Sequence, residues 1–360
     1  MAEERVRLAI VGTGGIANAH VVAFQRIPEH VQIVALSEIV PGKAREFAAR
    51  HGLTDATILG DYRELMDLPG VDAVDICLRP EGHGPASLAA LAARKHVLCE
   101  KPMATSVAEA KQMADAARDS NLVTMVDFTY RYYPAAQFIR KVIDDGQIGE
   151  VFRVRVEYLR DAITGVWGQP RDPRRRPPDP TQPAQNIVGD LGSHIIDLAR
   201  YFAGEVSRVH GQYRLFGETN ESMIATVDFA GGAVGSIEAT HVATGRGGNY
   251  RRVEVHGTKG AAIFWFTRPS LVQLYSVDGV TSYTRDFAAV TVPGVPYTED
   301  DAQAWYQGLA NAGRMFARAI QTGTKVRADF HDGYMSNVIM DAIHQSSRTG
   351  VVVNVGAAAG

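Results

Sequence analysis

The stretch Val6-Arg7-Leu8-Ala9-Ile10-Val11-Gly12-Thr13-Gly14-Gly15-Ile16-Ala17 decides the fold of this chain. A short run rich in branched residues reads as a buried strand, and the pattern G-x-G-x-x-A follows it without a break. Gly12 permits a tight turn, Gly14 lets backbone approach a pyrophosphate, and Ala17 is small enough for a helix to pack on the strand. The helix that starts here turns its N-terminal N–H groups and the positive end of its dipole toward the phosphates. Thr13, Gly15 and Ile16 complete the cofactor-binding loop.

Working outward, Gln32 to Ser37 is a second strand with Glu38 at its end. A carboxylate there accepts from both ribose hydroxyls and repels a 2′-phosphate, so the expected cofactor is NAD rather than NADP. Strands at Val71–Leu78, His96–Cys99 and Leu122–Asp127 alternate with helices at Pro85–Lys95 and, from the capping box Ser106-Val107-Ala108-Glu109, to about Ser120. Such alternation means a doubly wound parallel sheet. In Val97-Leu98-Cys99-Glu100-Lys101-Pro102-Met103 the proline has no N–H for the ladder, so the strand stops. Glu100 and Lys101 are left at the carboxyl end of a strand, where open α/β sheets bind ligands. His83, after the Val71–Leu78 strand, is a candidate for the cofactor side of that crevice.

Composition narrows the function. The 360 residues exceed one ordinary domain, and a net charge of −3 offers no polyanion-binding surface, so neither nucleic acid nor an acidic membrane is an expected partner. The two cysteines, Cys77 and Cys99, sit inside apolar strand-like runs and read as buried hydrophobes of a reducing compartment. An acidic N-terminus and the lack of a membrane-length apolar run point to the cytoplasm.

After Asp127 the rhythm changes. A helix at Pro134–Asp145 leads into Val151–Tyr158, whose alternating apolar and polar residues mark a strand with one wet face. Similar runs follow at Val206–Phe216, Met223–Phe229, Ala233–Thr240, Arg252–His256, Ala261–Phe266 and Leu271–Val277, joined by hairpin-like links. The expectation is a mainly antiparallel open sheet of about half a dozen strands. Two late helices and a short strand at Val351–Val355 close the chain. The residues divide into a cofactor domain at 1–127 and an α+β domain at 128–360. The segment 170–183 carries six prolines and four arginines and cannot be a helix or a central strand.

Gly189-Asp190-Leu191-Gly192-Ser193-His194-Ile195-Ile196-Asp197 places Asp190, His194 and Asp197 at i, i+4 and i+7, on one face of a helix beside an apolar stripe. Two or three such ligands, with no matching cluster elsewhere, do not make a metal site. Acid–base work on a substrate is the expected role.

These motifs, in this order, resemble the glucose–fructose oxidoreductase, inositol dehydrogenase and rhizopine-catabolism superfamily of NAD(P)-dependent dehydrogenases. The likeness rests on Gly12-x-Gly14-x-x-Ala17, Glu100-Lys101-Pro102, Tyr130-Arg131, Gly146-x-Ile148-Gly149 and Asp190-x-x-x-His194-x-x-Asp197. It implies a Rossmann domain followed by an α+β domain whose open sheet face makes homo-oligomers. It also implies that Lys101 and His194, with Asp190 beside them, act on a sugar or polyol. Leu78 and Arg79 stand where the family's loop meets the nicotinamide ribose, although Leu78-Arg79-Pro80-Glu81 departs from the usual pattern there. Tyr158, Arg160, Asp161 and Trp167, with Tyr130 and Arg131, are the candidate substrate contacts in the second domain. Two rival readings are a non-catalytic NAD or sugar sensor and an NAD-assisted glycoside cleavage.

Overall fold

Three-to-seven-residue apolar strands separated by helices need both sheet faces covered, and the first half of the chain meets that need. The computed structural model describes residues 4–161, 178–244, 249–284 and 301–355. Its first elements are β1 (Val6–Val11), α1 (Gly15–Phe24), β2 (Val31–Ser37), α2 (Lys43–His51), β3 (Thr57–Leu59) and α3 (Tyr62–Met66). They continue with β4 (Ala73–Ile76), α4 (Pro80–Ala92), β5 (His96–Cys99), α5 (Val107–Ser120) and β6 (Thr124–Val126). The six strands lie in the order β3-β2-β1-β4-β5-β6 and pair in parallel throughout. The order reverses direction between β1 and β4, so the glycine loop after β1 lies at the switch point where such sheets bind dinucleotides.

Ile10, Ala17, Val21, Leu36, Phe47, Ala48 and Cys77 form one buried cluster between sheet and helices. Full burial of Ile10 and Leu36 stabilises the fold by roughly 1.5–3 kcal/mol each. Gly12 has φ +90°, and a Cβ there would lie 2.9 Å from the Cys77 carbonyl oxygen, so both the turn and the close approach require glycine.

Two local expectations shift. α4 begins at Pro80 rather than Pro85. A proline at the first helical position has no N–H to lose there, whereas Pro85 lies inside the helix and removes one i→i−4 hydrogen bond. Ser106 caps α5 by accepting from the Glu109 N–H at 3.2 Å, but Glu109 turns its carboxylate to Thr105 N at 2.8 Å and Oγ1 at 2.7 Å. The short β3 and α3, too brief for a periodicity, complete the sheet edge.

The later elements are α6 (Pro134–Asp144), β7 (Val151–Arg160), α7 (Ser193–Ala203), β8 (Val206–Phe216), β9 (Asn220–Phe229), β10 (Val234–Thr240) and β11 (Asn249–Gly257). Then come β12 (Gly260–Trp265), β13 (Leu271–Ser276), β14 (Gly279–Thr284), α8 (Asp301–Thr322), α9 (Phe330–Thr349) and β15 (Val353–Asn354). Nine strands form one sheet in the order β14-β13-β12-β11-β7-β10-β9-β8-β15. All neighbours are antiparallel except β7 and β10. Helices α6 and α7 pack on one face, as does α9, whose Ile343 touches Gly211. The other face carries Arg153, Arg155, Glu157, Arg252 and Glu254 on neighbouring strands.

The chain falls into two compact units, Met1–Thr129 with Tyr306–Tyr334, and Tyr130–Trp305 with Met335–Gly360. The first unit thus regains chain within α8 and gives it up within α9, which no change of sequence rhythm announces. Among the described residues no helix is long and apolar enough to cross a membrane.

Candidate active site

The cofactor end of the first unit is built by strand termini. Gly14 caps α1 without a side-chain hydrogen bond, so the first-turn N–H groups keep their capacity for an anion. A Cβ at Gly14 or Gly15 would meet no atom of the described residues within 4 Å, which leaves the outer side of the loop open. Glu38, at the end of β2, accepts from Thr13 N at 3.1 Å, Thr13 Oγ1 at 2.8 Å, Val40 N at 3.1 Å and Lys43 Nζ at 2.6 Å. Partial burial pushes its carboxyl up, but the Lys43, Thr13 and Val40 donors outweigh that and hold it at about 2. The open loop, the uncapped helix start and an ionised acid at the end of β2 together fit a dinucleotide without a 2′-phosphate.

Under this edge lies a group of buried charges of which the sequence reading singled out only Glu100. His20 of α1 has Nδ1 2.8 Å from Asp75 Oδ2 and Nε2 3.0 Å from Glu100 Oε1 and 3.2 Å from Asp127 Oδ2. All four residues are buried, and Cys77 Sγ donates to Asp75 Oδ2 at 3.5 Å. Burial lowers the His20 pKa, but the Asp75 charge and bonds to Asp127 and Asp75 raise it well above its ordinary value, so the ring is an imidazolium. Glu100 is likewise pushed up by burial and pulled lower overall by His20, whereas burial wins at Asp127 and raises it. The contacts are hydrogen-bond lengths, as between an imidazolium and its counter-ions. The available signal was Asp75, a lone acid inside an apolar strand, which demands a buried partner.

This group explains the next residue. Glu100, expected at the cofactor, turns its carboxylate inward to His20, and its Oε2 accepts the Lys101 N–H at 2.9 Å. Lys101 is therefore fixed by its backbone at the end of β5, half-buried, just before Pro102. His83, also expected at the cofactor, is buried, with Nδ1 2.9 Å from the Pro102 carbonyl and Nε2 3.1 Å from the Leu78 carbonyl. It ties the loop after β4 to the loop after β5. Leu78 lies under Gly12 and Gly82, and Arg79 is the exposed N-cap of α4.

In the second unit, the motif around Asp190 is not one regular helix. Val188–Gly192 makes a π-turn, and α7 starts at Ser193. The wider turn breaks the i, i+4, i+7 phasing, a device common at functional sites. Asp190 stays half-exposed and His194 is 9% exposed, while Asp197 is fully buried. Asp197 leaves the expected polar face to take Arg131 in a two-pronged pair, Nε to Oδ2 at 2.6 Å and Nη2 to Oδ1 at 2.6 Å. Arg131, expected at the substrate, is thereby turned into the unit's interior.

His194 stacks on Tyr130 with ring centroids 4.3 Å apart. Tyr158 lies 6.0 Å from Tyr130, and Arg251, which the sequence reading passed over, donates to the Tyr130 hydroxyl at 2.8 Å. Arg160 ends β7, and buried Asp161 pairs with Val242 in an isolated bridge. Trp167 and most of the arginine- and proline-rich segment 170–183 lie outside the described residues.

Comparison with known proteins finds related chains. The profile of the oxidoreductase family with an NAD-binding Rossmann fold (Gfo/Idh/MocA) matches residues 6–128, and that of the Gfo/Idh/MocA C-terminal domain matches residues 136–263. Levoglucosan dehydrogenase of Pseudarthrobacter phenanthrenivorans is 31% identical over 96% of this chain and 96% of its own. Inositol 2-dehydrogenase of Rhizobium meliloti is 28% identical over 95% and 96% respectively. The solved complex of levoglucosan dehydrogenase with NADH and levoglucosan matches with a TM-score of 0.84 at 29% identity, over 98% of this chain and 100% of that one.

Proposed function

The chain belongs to the Gfo/Idh/MocA oxidoreductase family, and on that premise we propose that it oxidises one secondary hydroxyl of a cyclic polyol, pyranose or glycoside. It is an NAD-dependent dehydrogenase of the sugar and polyol class. The observation that carries the reading is the first unit's strand edge, where an open glycine loop, ionised Glu38 and backbone-anchored Lys101 share one sheet terminus.

When bound, NAD supplies the hydride acceptor. The chain has to hold the carbinol and take one proton from its oxygen. His194 is assigned as the acceptor of that proton, Lys101 as the amine that steadies or relays charge at the same oxygen, and Asp190 as the partner of a neighbouring hydroxyl. Tyr158, Arg160, Asp161 and Trp167 are assigned to the substrate wall, and residues 1–127 and 128–360 to cofactor and substrate respectively. The second domain is further assigned to homo-oligomer formation through the sheet face opposite α6 and α7.

The test is a panel of levoglucosan, myo-inositol and methyl glucosides followed at the NADH absorbance, with and without added NAD. NADH accumulating with one of these is the expected result. Turnover of 2-hydroxy acids alone would overturn it, and release of free sugar without NADH would favour NAD-assisted cleavage.

A further inference from the structure

Tyr130 and His194 lie face to face, their centroids 4.3 Å apart and their planes within 19°. The tyrosine is held from several directions. Its hydroxyl accepts from Arg251 Nη1 at 2.8 Å, Tyr133 meets its ring edge-on at 5.6 Å, and Phe266 lies at 4.9 Å. The Arg251 guanidinium carbon in turn sits 5.0 Å from the Tyr130 ring centre and 4.9 Å from that of Phe266. Tyr130 comes from the turn Thr129–Tyr132, Arg251 from β11 and Phe266 from the residue after β12, so separate elements of one unit converge on one phenol. Only 4% of Tyr130 is exposed and one ring face is covered by the imidazole, which leaves little of it for a substrate.

A histidine's second torsion joins a tetrahedral to a planar carbon and has broad wells, so packing volume alone does not fix the plane of its ring. A flat, immobile partner does. We propose that Tyr130, locked by Arg251, is a positioning residue for His194 and sets the plane in which the imidazole meets the substrate hydroxyl. This rests on the assignment of His194 to the proton. The tyrosine hydroxyl serves to engage Arg251, while the ring face carries the effect on His194.

The experiment compares Tyr130→Phe, Tyr130→Leu, His194→Asn and the double variant Tyr130→Leu/His194→Asn. Readouts are NADH formation from levoglucosan and myo-inositol, NAD binding, and the His194 ring signal in histidine-labelled protein, identified by its loss in His194→Asn. Tyr130→Phe keeps the ring face but loses the Arg251 lock, so it should shift the ring signal and lower kcat less than Tyr130→Leu does. Tyr130→Leu should shift that signal and lower kcat by roughly 10²-fold, the size of a misplaced catalytic group, with NAD affinity unchanged. In the His194→Asn background the same change should cost almost nothing, because the cycle isolates the coupling of the pair. Wild-type kcat in Tyr130→Leu, an equal loss in both backgrounds, or an unmoved ring signal would overturn the proposal. Normal kcat in His194→Asn itself would place the fault in the assignment of His194 instead.

Discussion

Nε2 of His20 lies 3.0 Å from Oε1 of Glu100, and through that contact a buried imidazolium fixes the residue whose carboxylate holds the Lys101 N–H. His20→Asn should leave Asp75, Glu100 and Asp127 buried without their cation. Removing one partner of a buried ionic group costs roughly 3–5 kcal/mol, and that loss is expected at pH 7 in urea unfolding. The pH dependence should also change. In the parent, Glu100 sits below its ordinary 4.5, so its contribution is present above that value and lost as pH falls through the lower one. The raised His20 contributes fully below 6.5 and loses its part only as pH rises through its folded value. In His20→Asn, Glu100 loses the cation that lowers it, so the stability the parent loses as pH falls below 4.5 should be smaller or absent in the variant. Parallel pH curves would sink this account.

Glu38 and Lys43 form a pair, so the preference for NAD rests on hydrogen bonding more than on net charge. Glu38→Ala should weaken NAD by roughly 10-fold or more, the worth of a charged hydrogen bond. The released Lys43 amine should improve NADP binding, and adding Lys43→Met should cancel that gain. Since the carboxyl titrates at about 2, NAD affinity should hold constant between pH 5 and pH 9. Cofactor titrations by fluorescence check all three outcomes.

For the chemistry, Lys101→Met and His194→Asn should each lower kcat by roughly 10²–10⁴-fold with NAD still bound. If the two act as one relay, the double variant should be little worse than the poorer single one. Asp190→Asn should act more on KM than on kcat. Near-normal kcat in Lys101→Met would make the strand-end lysine structural.

Arg131 and Asp197 answer a different question. Both side chains are at most 5% exposed, so Arg131→Met should destabilise by roughly 3–5 kcal/mol and leave KM unchanged. Arg131→Lys should rescue little, because a lysine lacks the planar fork that meets both carboxylate oxygens. A raised KM at unchanged stability would return Arg131 to the substrate.

Ile224 and Val234, each 51% exposed on the face of the second sheet opposite α6 and α7, offer apolar surface for self-association. Light scattering at micromolar concentration should give a multiple of 39.0 kDa, and Ile224→Lys with Val234→Lys should shift it toward one chain. A parent mass of one chain would count against the oligomer.

The sequence alone determined what depends on local order. Strand, glycine loop and helix in Val6–Ala17 carry their own geometry, and the alternation that follows them allows only a parallel sheet. The strand-end placement of Glu38 and Lys101 likewise follows from where Gly12 and Pro102 interrupt their neighbours. The alternating runs after Val151 gave the second sheet, though β14 is so short and polar that only its hairpin turn showed. What tertiary structure decided is where the charged groups point. His20, Asp75, Glu100 and Asp127 are spread over more than a hundred residues, and only sheet assembly makes them neighbours. Asp190 falls out of phase with His194 because a π-turn separates them, and Asp197 is drawn inside by Arg131. The periodicity of a chain specifies which residues share a surface. The partner that neutralises a buried charge is chosen by contacts between distant elements, and no local pattern contains it.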